Sequence, residues 1–131
     1  MSIELTIEDS VAYVLINRPE KLNALDLAAF RALDELIDTF NADSKIRAVV
    51  FQGAGNKAFS AGADVSELVD ITVAEATTQA RFRQGVLTRL AEISRPTVAV
   101  LQGYALGGGA ELALACTFRI ATPGAKFGLP E

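Results

Sequence analysis

Ile3, Leu5 and Ile7 alternate with polar residues, the period of a strand with one buried face. Asp9-Ser10 breaks that pattern as a turn pair, and Val11–Ile16 predicts the returning strand of a hairpin. Residues 17–24 hold a proline and mixed charges and predict a loop. The period then changes. Leu27, Phe30, Leu33, Ile37 and Phe40 recur three and four apart, which predicts a helix capped by Asp26, with Arg31, Asp34, Glu35 and Asp38 on its wet face. Residues 48–51 and Thr97–Leu101 are short apolar runs, as expected of buried strands. Between them the pattern predicts a glycine-rich loop, a short helix over 64–69 and a longer helix over 73–93. Phe82, Val86, Leu90 and Ile93 share one face of the longer helix, and Arg95-Pro96 is its expected stop. Phe118–Ala121 predicts a further strand and Pro123-Gly124 a turn.

Two stretches echo each other. Val49-Val50-Phe51-Gln52-Gly53 leads through small residues to Ala63-Asp64 and a helix; Val98-Ala99-Val100-Leu101-Gln102-Gly103 leads through small residues to Ala110-Glu111 and a helix. Both read strand, Gln-Gly, small residues, acid, helix, which predicts two loops with parallel jobs. No linker, low-complexity segment or charge block divides the 131 residues, enough for one domain that buries roughly two-thirds of its unfolded surface.

Composition narrows the chemistry by what is scarce. There is no histidine, so Ser-His-Asp and Cys-His catalysis are excluded within this chain. Cys116 is alone, which excludes a disulfide framework and a thiolate zinc site, and no metal is expected. A net charge of −4 and a pI near 4.8 argue against a nucleic-acid partner. No apolar stretch nears the ~20 residues of a membrane-spanning helix, and the start lacks the order of a signal peptide, so a cytoplasmic protein is expected. Half the residues are hydrophobic and mean hydropathy is +0.30, an excess expected of faces that meet another segment or subunit. Chemistry falls to carboxylates, lysines, hydroxyls and the backbone.

Backbone chemistry is what the glycines predict. The first turn of a helix carries N–H groups with no intrahelical partner and a partial positive charge. Small residues there let a ligand oxygen reach the backbone, and two such helix starts facing one cavity would form an oxyanion hole. The same glycines also fit tight strand–helix packing. The P-loop pattern fails, because Ala110-Glu111 follows the glycines where Lys and Ser/Thr are needed. Residues 53–58, Gly-Ala-Gly-Asn-Lys-Ala, match a dinucleotide-binding pattern, but Ser60-Ala61-Gly62 interrupts the helix that should already have begun. Glu111 and Asp64 both fit first-turn acids favoured by the helix dipole, and Glu131 reads by itself as a solvated chain end.

Four stretches together, NRPEKLNAL (17–25), AFSAGAD (58–64), GYALGGGAELALA (103–115) and FGLPE (127–131), resemble the enoyl-CoA hydratase/isomerase, or crotonase, family in order and separation. The resemblance implies an α/β fold, a crotonase-like spiral of repeated β-β-α units. It also implies a thioester carbonyl held between the N–H groups of Ala63 and Gly108. Ala61, Ala63, Asp64, Val65 and Ser66 would contact coenzyme A along with Gly108, and Arg18, Lys21 and Lys57 are candidate phosphate partners. Glu111 and Glu131 match the two glutamates of family hydratases: the first activates water for C3 and the second exchanges the proton at C2. Two neighbouring carboxylates can share one proton because like-charge repulsion raises one pKa.

The implied activity is syn hydration of a 2-trans-enoyl-CoA to a 3-hydroxyacyl-CoA. An isomerase or specialised dehydratase of the family is the alternative, and a non-catalytic CoA-binding or assembly protein is the alternative of another class. No cofactor is expected, since coenzyme A belongs to the substrate. Family members continue for about as many residues again, so 1–131 is expected to be the N-terminal part of a crotonase-like domain, truncated before the C-terminal helical region. A homotrimer or dimer of trimers is expected of the full-length protein, and no activity of residues 1–131 alone.

Overall fold

The computed structural model describes residues 2–131. Strands β1 (Ile3–Glu8) and β2 (Val11–Ile16) form the predicted antiparallel hairpin, with Ile3 opposite Ile16 and Glu8 opposite Val11. Asp9 and Ser10 have φ of +48° and +68°, as a two-residue hairpin turn needs to match the strand twist.

After the hairpin and its helix α1 (Leu27–Ala42), one plan repeats. A strand joins a large sheet, a three-residue strand joins a small one, and a helix follows. The first round is β3 (Ala48–Gly53), β4 (Ala58–Ser60) and α2 (Val73–Ala91). The second is β5 (Thr97–Leu101), β6 (Tyr104–Leu106) and α3 (Gly108–Ala115), and β7 (Phe118–Ala121) with β8 (Lys126–Gly128) opens a third. The large sheet runs β1-β2-β3-β5-β7 and the small sheet β4-β6-β8, with every pair beyond the hairpin parallel. The glycine-rich stretches therefore contain strands that the hydrophobic pattern did not predict. Three residues are too few for alternation to register.

Helix α1 starts where Asp26 accepts the Ala29 N–H at 2.7 Å, and it buries Ala29, Phe30, Leu33, Ile37 and Phe40. Leu27, expected on that face, is only half-buried at the first turn. The wet face is not all solvated, because Asp34 and Asp38 both pair with Arg89 of α2. Helix α2 opens with a capping box: the Thr72 N–H donates to Glu75 at 2.7 Å and the Glu75 N–H to Thr72 Oγ1 at 3.1 Å. The Thr72 N–H first, and then the Thr72 side chain, hold the Glu75 carboxyl below its ordinary pKa. The helix ends at Ala91, not at Arg95-Pro96. Its last turn tightens, with Ile93 N–H donating to Leu90 O at 3.2 Å, before proline is reached. Arg95 instead caps the far end of α1 through Ile46 O and Asp43 O at 2.7 and 3.2 Å.

Phe40, Phe51, Phe59, Ile16 and Leu112 are fully buried in one core between sheets and helices. Each such side chain stabilises the fold by roughly 1.5–3 kcal/mol. Strand β7 is the exception among the large-sheet strands: all four residues are exposed, on the outer edge.

Candidate active site

The two echoing loops meet. In the first, β4 runs into Ala61-Gly62-Ala63-Asp64, which lies along residues 22–25. The Ala61 N–H donates to Leu22 O at 2.9 Å, Gly62 N–H to Ser60 Oγ at 3.2 Å, and Asp64 N–H to Leu25 O at 3.0 Å. Leu25 N–H returns a bond to Gly62 O at 2.8 Å. Of the four consecutive amides in 61–64, the Ala63 N–H alone has no acceptor among the described residues. In the second loop, Gly108 is the first residue of α3, so its N–H lies among the unpartnered donors of the helix start. A Cβ built on Gly108 would lie 3.4 Å from the Ala63 nitrogen, and one built on Gly62 would lie 3.1 Å from the Gly108 nitrogen. Two free backbone donors thus stand side by side.

The three glycines before Glu111 do three different things. Gly107 has φ of +52°, and its Cα faces the Glu131 carboxylate so closely that a side chain there would collide with it. Gly108 faces Ala63. Gly109 is pressed on Ser60, where a Cβ would strike the Ser60 carbonyl. Of the two alternatives open for the triplet as a whole, tight packing describes Gly109, while Gly108 has only an ordinary contact with the Ala63 nitrogen. Helix α3 already begins at Gly108, so Glu111 is its fourth residue, exposed, with its N–H donating to Gly107 O at 2.9 Å. Glu111 and Glu131 therefore both stand at Gly107, one through the backbone and one through its carboxylate. Gly107 N–H donates to Gly128 O at 3.0 Å, which fastens the segment leading to Glu131.

The remaining predicted residues are less uniform. Asp64 caps a single 3₁₀ turn, Val65–Leu68, accepting from Ser66 N–H at 3.1 Å and Ser66 Oγ at 2.6 Å, and from Arg18 at 2.9 Å. The Ser66 hydroxyl, then Arg18, then the Ser66 N–H lower its pKa to about 2. Ser66 thus spends its hydroxyl on Asp64, while Val65 is exposed and Ala61 half-buried beside Ala63. Lys21 and Lys57 are exposed, on the turn Pro19–Lys21 and just before β4. Arg18 is placed differently: its guanidinium lies between Asp26, at 3.2 Å, and Asp64, at 2.9 Å. One positive charge facing two carboxylates leaves a net negative cluster, which has no free charge to offer a phosphate.

The sequence reading missed Asn23 and Glu67. Asn23, 1 % exposed, donates to Ala54 O at 2.9 Å and Ala58 O at 2.7 Å and accepts from Arg18 N–H at 3.0 Å. Its φ is +56°, a conformation asparagine tolerates better than most residues, and an Asn inside a Pro-containing loop was the available signal. Glu67 accepts from Leu27 N–H at 2.9 Å and from Arg83 at 2.8 Å, joining the first loop to both long helices. A cavity of about 670 Å³ between α1 and α2, lined by Leu27, Ala74, Thr78, Gln79 and Phe82, contains none of the predicted site residues.

Comparison with known proteins bears on what this pair of donors and acids belongs to. A sequence model described as enoyl-CoA hydratase/isomerase matches residues 11–131. The chain belongs to the enoyl-CoA hydratase/isomerase family. It is 42% identical over 124 residues to the short-chain-enoyl-CoA hydratase of Clostridium acetobutylicum, covering 95% of this chain and 48% of that protein. It is 41% identical over 131 residues to the (E)-benzylidenesuccinyl-CoA hydratase of Thauera aromatica, covering 100% of this chain and 51% of that protein. The crystal structure of an enoyl-CoA hydratase from Bacillus anthracis superposes with a TM-score of 0.94 at 33% identity, over 98% of this chain and 50% of that one. The crotonase fold implied by the motifs is therefore the fold observed. The chain spans about half the length of the relatives it matches.

Proposed function

We propose that this chain supplies the oxyanion donors and both carboxylates of an enoyl-CoA hydratase acting on a 2-trans-enoyl-CoA. The observation that carries this reading is the pairing of the free Ala63 N–H with the start of α3, where Glu111 and Glu131 both meet Gly107. The thioester oxygen would accept from Ala63 and Gly108. Glu111 would hold the water, whose oxygen bonds to C3 as one of its protons passes to a carboxylate. The electron pair of the double bond moves toward the thioester oxygen as an enolate, and a carboxylic acid at Glu131 gives C2 its proton. One proton leaves water and one reaches carbon, so the pair ends the cycle as it began. Backbone donors of this kind are worth roughly 3–4 kcal/mol each when charge develops on the oxygen. The scheme calls on no added cofactor. The names of two relatives at 42% and 41% identity support hydration over isomerisation.

The test follows the conjugated thioester of crotonyl-CoA by ultraviolet absorbance in the protein as encoded in full. Hydration abolishes the absorbance, and Glu111→Gln is expected to slow that loss at least ~10²-fold with little change in affinity for the product. Gain of that absorbance from a 3-enoyl-CoA, with none lost from crotonyl-CoA, would make the protein an isomerase, and no change with either thioester would make it a binder.

A further inference from the structure

We propose that Arg18 is a positioning residue that sets the Ala63 N–H, a role that rests on the oxyanion reading of Ala63. The loop 61–64 has little hold of its own. It is stitched by backbone bonds to residues 22–25, and that strip contains two consecutive residues, Leu22 and Asn23, with φ of +51° and +56°. Such conformations persist in non-glycine residues only where the surroundings over-determine them.

Arg18 supplies that determination from several sides. Its carbonyl accepts from Lys21 N–H at 2.9 Å and Asn23 N–H at 2.8 Å, and its own N–H donates to Asn23 Oδ1 at 3.0 Å. The guanidinium donates to Ala24 O at 3.1 Å and to Asp64 at 2.9 Å, and lies 3.2 Å from Asp26. Its three acceptors are the residues on either side of Leu25 and the residue after Ala63, and Leu25 and Ala63 are the bridged pair. One planar fork thus fixes both strips of the bridge at once. The side chain is 19% exposed, so these bonds are partly shielded from water. A lysine cannot reproduce the fork, since an ammonium is a compact point charge on a flexible stem.

Two independent readouts test this in the protein as encoded in full. In the first, Arg18→Gln is expected to lower kcat at least ~10-fold while KM changes little, because displacements of about 1 Å cost up to ~10²-fold. The loss should be equal for crotonyl-CoA and for crotonyl-pantetheine, which lacks the nucleotide phosphates. Asp64→Asn should produce the same split, and the double variant should lose little more than either single one. Arg18→Lys, which keeps the charge and tests against simple unfolding, should fall between wild type and Arg18→Gln. A loss seen only with crotonyl-CoA would overturn the proposal in favour of a phosphate contact, as would an unchanged kcat in favour of no role.

The second readout needs no turnover. In amide NMR spectra, Arg18→Gln should move the Ala63 resonance and leave that of Gly108 in place. An unmoved Ala63 resonance would overturn the proposal. Wild-type protein without hydratase activity would remove the hydratase reading alone, and the Ala63 resonance would still decide whether Arg18 positions that amide.

Discussion

The two loops that present Ala63 and Gly108 share a plan and differ in what holds them. Side chains reinforce the backbone bonds that stitch the first to residues 22–25. Arg18 joins Asp26 and Asp64, Ser66 closes on Asp64, and Glu67 ties the following turn to Leu27 N–H and Arg83. Backbone and packing hold the second: Gly107 N–H donates to Gly128 O, Gly109 is pressed on Ser60, and Ala110, Leu112 and Ala113 are buried in the core. The difference follows from what comes next in each unit. The second loop enters an eight-residue helix whose start is itself a set of oriented donors, so the backbone needs only clearance. The first enters a four-residue 3₁₀ turn, too short to orient anything alone, and charged side chains supply the order.

If the loops are two halves of one oxyanion hole, removing either donor should have the largest effect on activity. Gly108→Pro is the cleaner variant because proline is tolerated at the first position of a helix. Turnover of crotonyl-CoA is expected to fall ~10²-fold or more, with circular dichroism unchanged. Full activity in the folded variant would separate the second loop from catalysis. Next in size is a stability effect that sorts packing from access. Gly109→Ala drives a Cβ into the Ser60 carbonyl and should cost about 1–3 kcal/mol in urea unfolding, as overpacked sites do. Gly108→Ala meets only an ordinary contact with Ala63 and should stay within about 0.5 kcal/mol of wild type. Equal losses from both would mean that clearance at Gly108 is no freer than at Gly109.

The same division explains what could be read from the sequence. Alternation in residues 3–16 and the spacing of Leu27 to Phe40 correspond to β1, β2 and α1; β2 and α1 each bury a face long enough to set a period, whereas β1 buries only Ile3 and leaves Ile7, expected on the same face, exposed. The second loop was legible for a related reason: a glycine triplet has few uses, and strand-to-helix junctions are one of them. The first loop was legible as an echo of the second, but what holds it was not, because those contacts join residues far apart in sequence. Arg18 and Asp64 are separated by 46 positions, and Leu27 and Glu67 by 40. Nothing in local pattern joins them. A lone arginine in a loop therefore read as a free charge, where the fold gives it two carboxylates and a carbonyl. The Glu111–Glu131 relation was equally silent in spacing, and only family motifs brought those residues to one place.

The smallest effect, and the sharpest test of side-chain control in the first loop, is its response to acid. Asp64 titrates at about 2 in the folded protein, against an ordinary value near 3.8, with the Ser66 hydroxyl the first cause and Arg18 the second. A carboxyl whose folded pKa is depressed adds stability that is fully present above its unfolded pKa and is lost as pH falls through the folded one. Between pH 5 and 8 the difference in urea midpoint between wild type and Asp64→Asn should therefore be constant, and it should shrink as pH drops from about 4 toward 2. Ser66→Ala removes the largest cause. It should raise the pKa of Asp64, read from the carboxyl carbon by NMR, and move the shrinkage to higher pH, while the Gly108 amide keeps its wild-type resonance. A wild-type Asp64 that titrates near its ordinary value would show that the first loop, like the second, is held by its backbone.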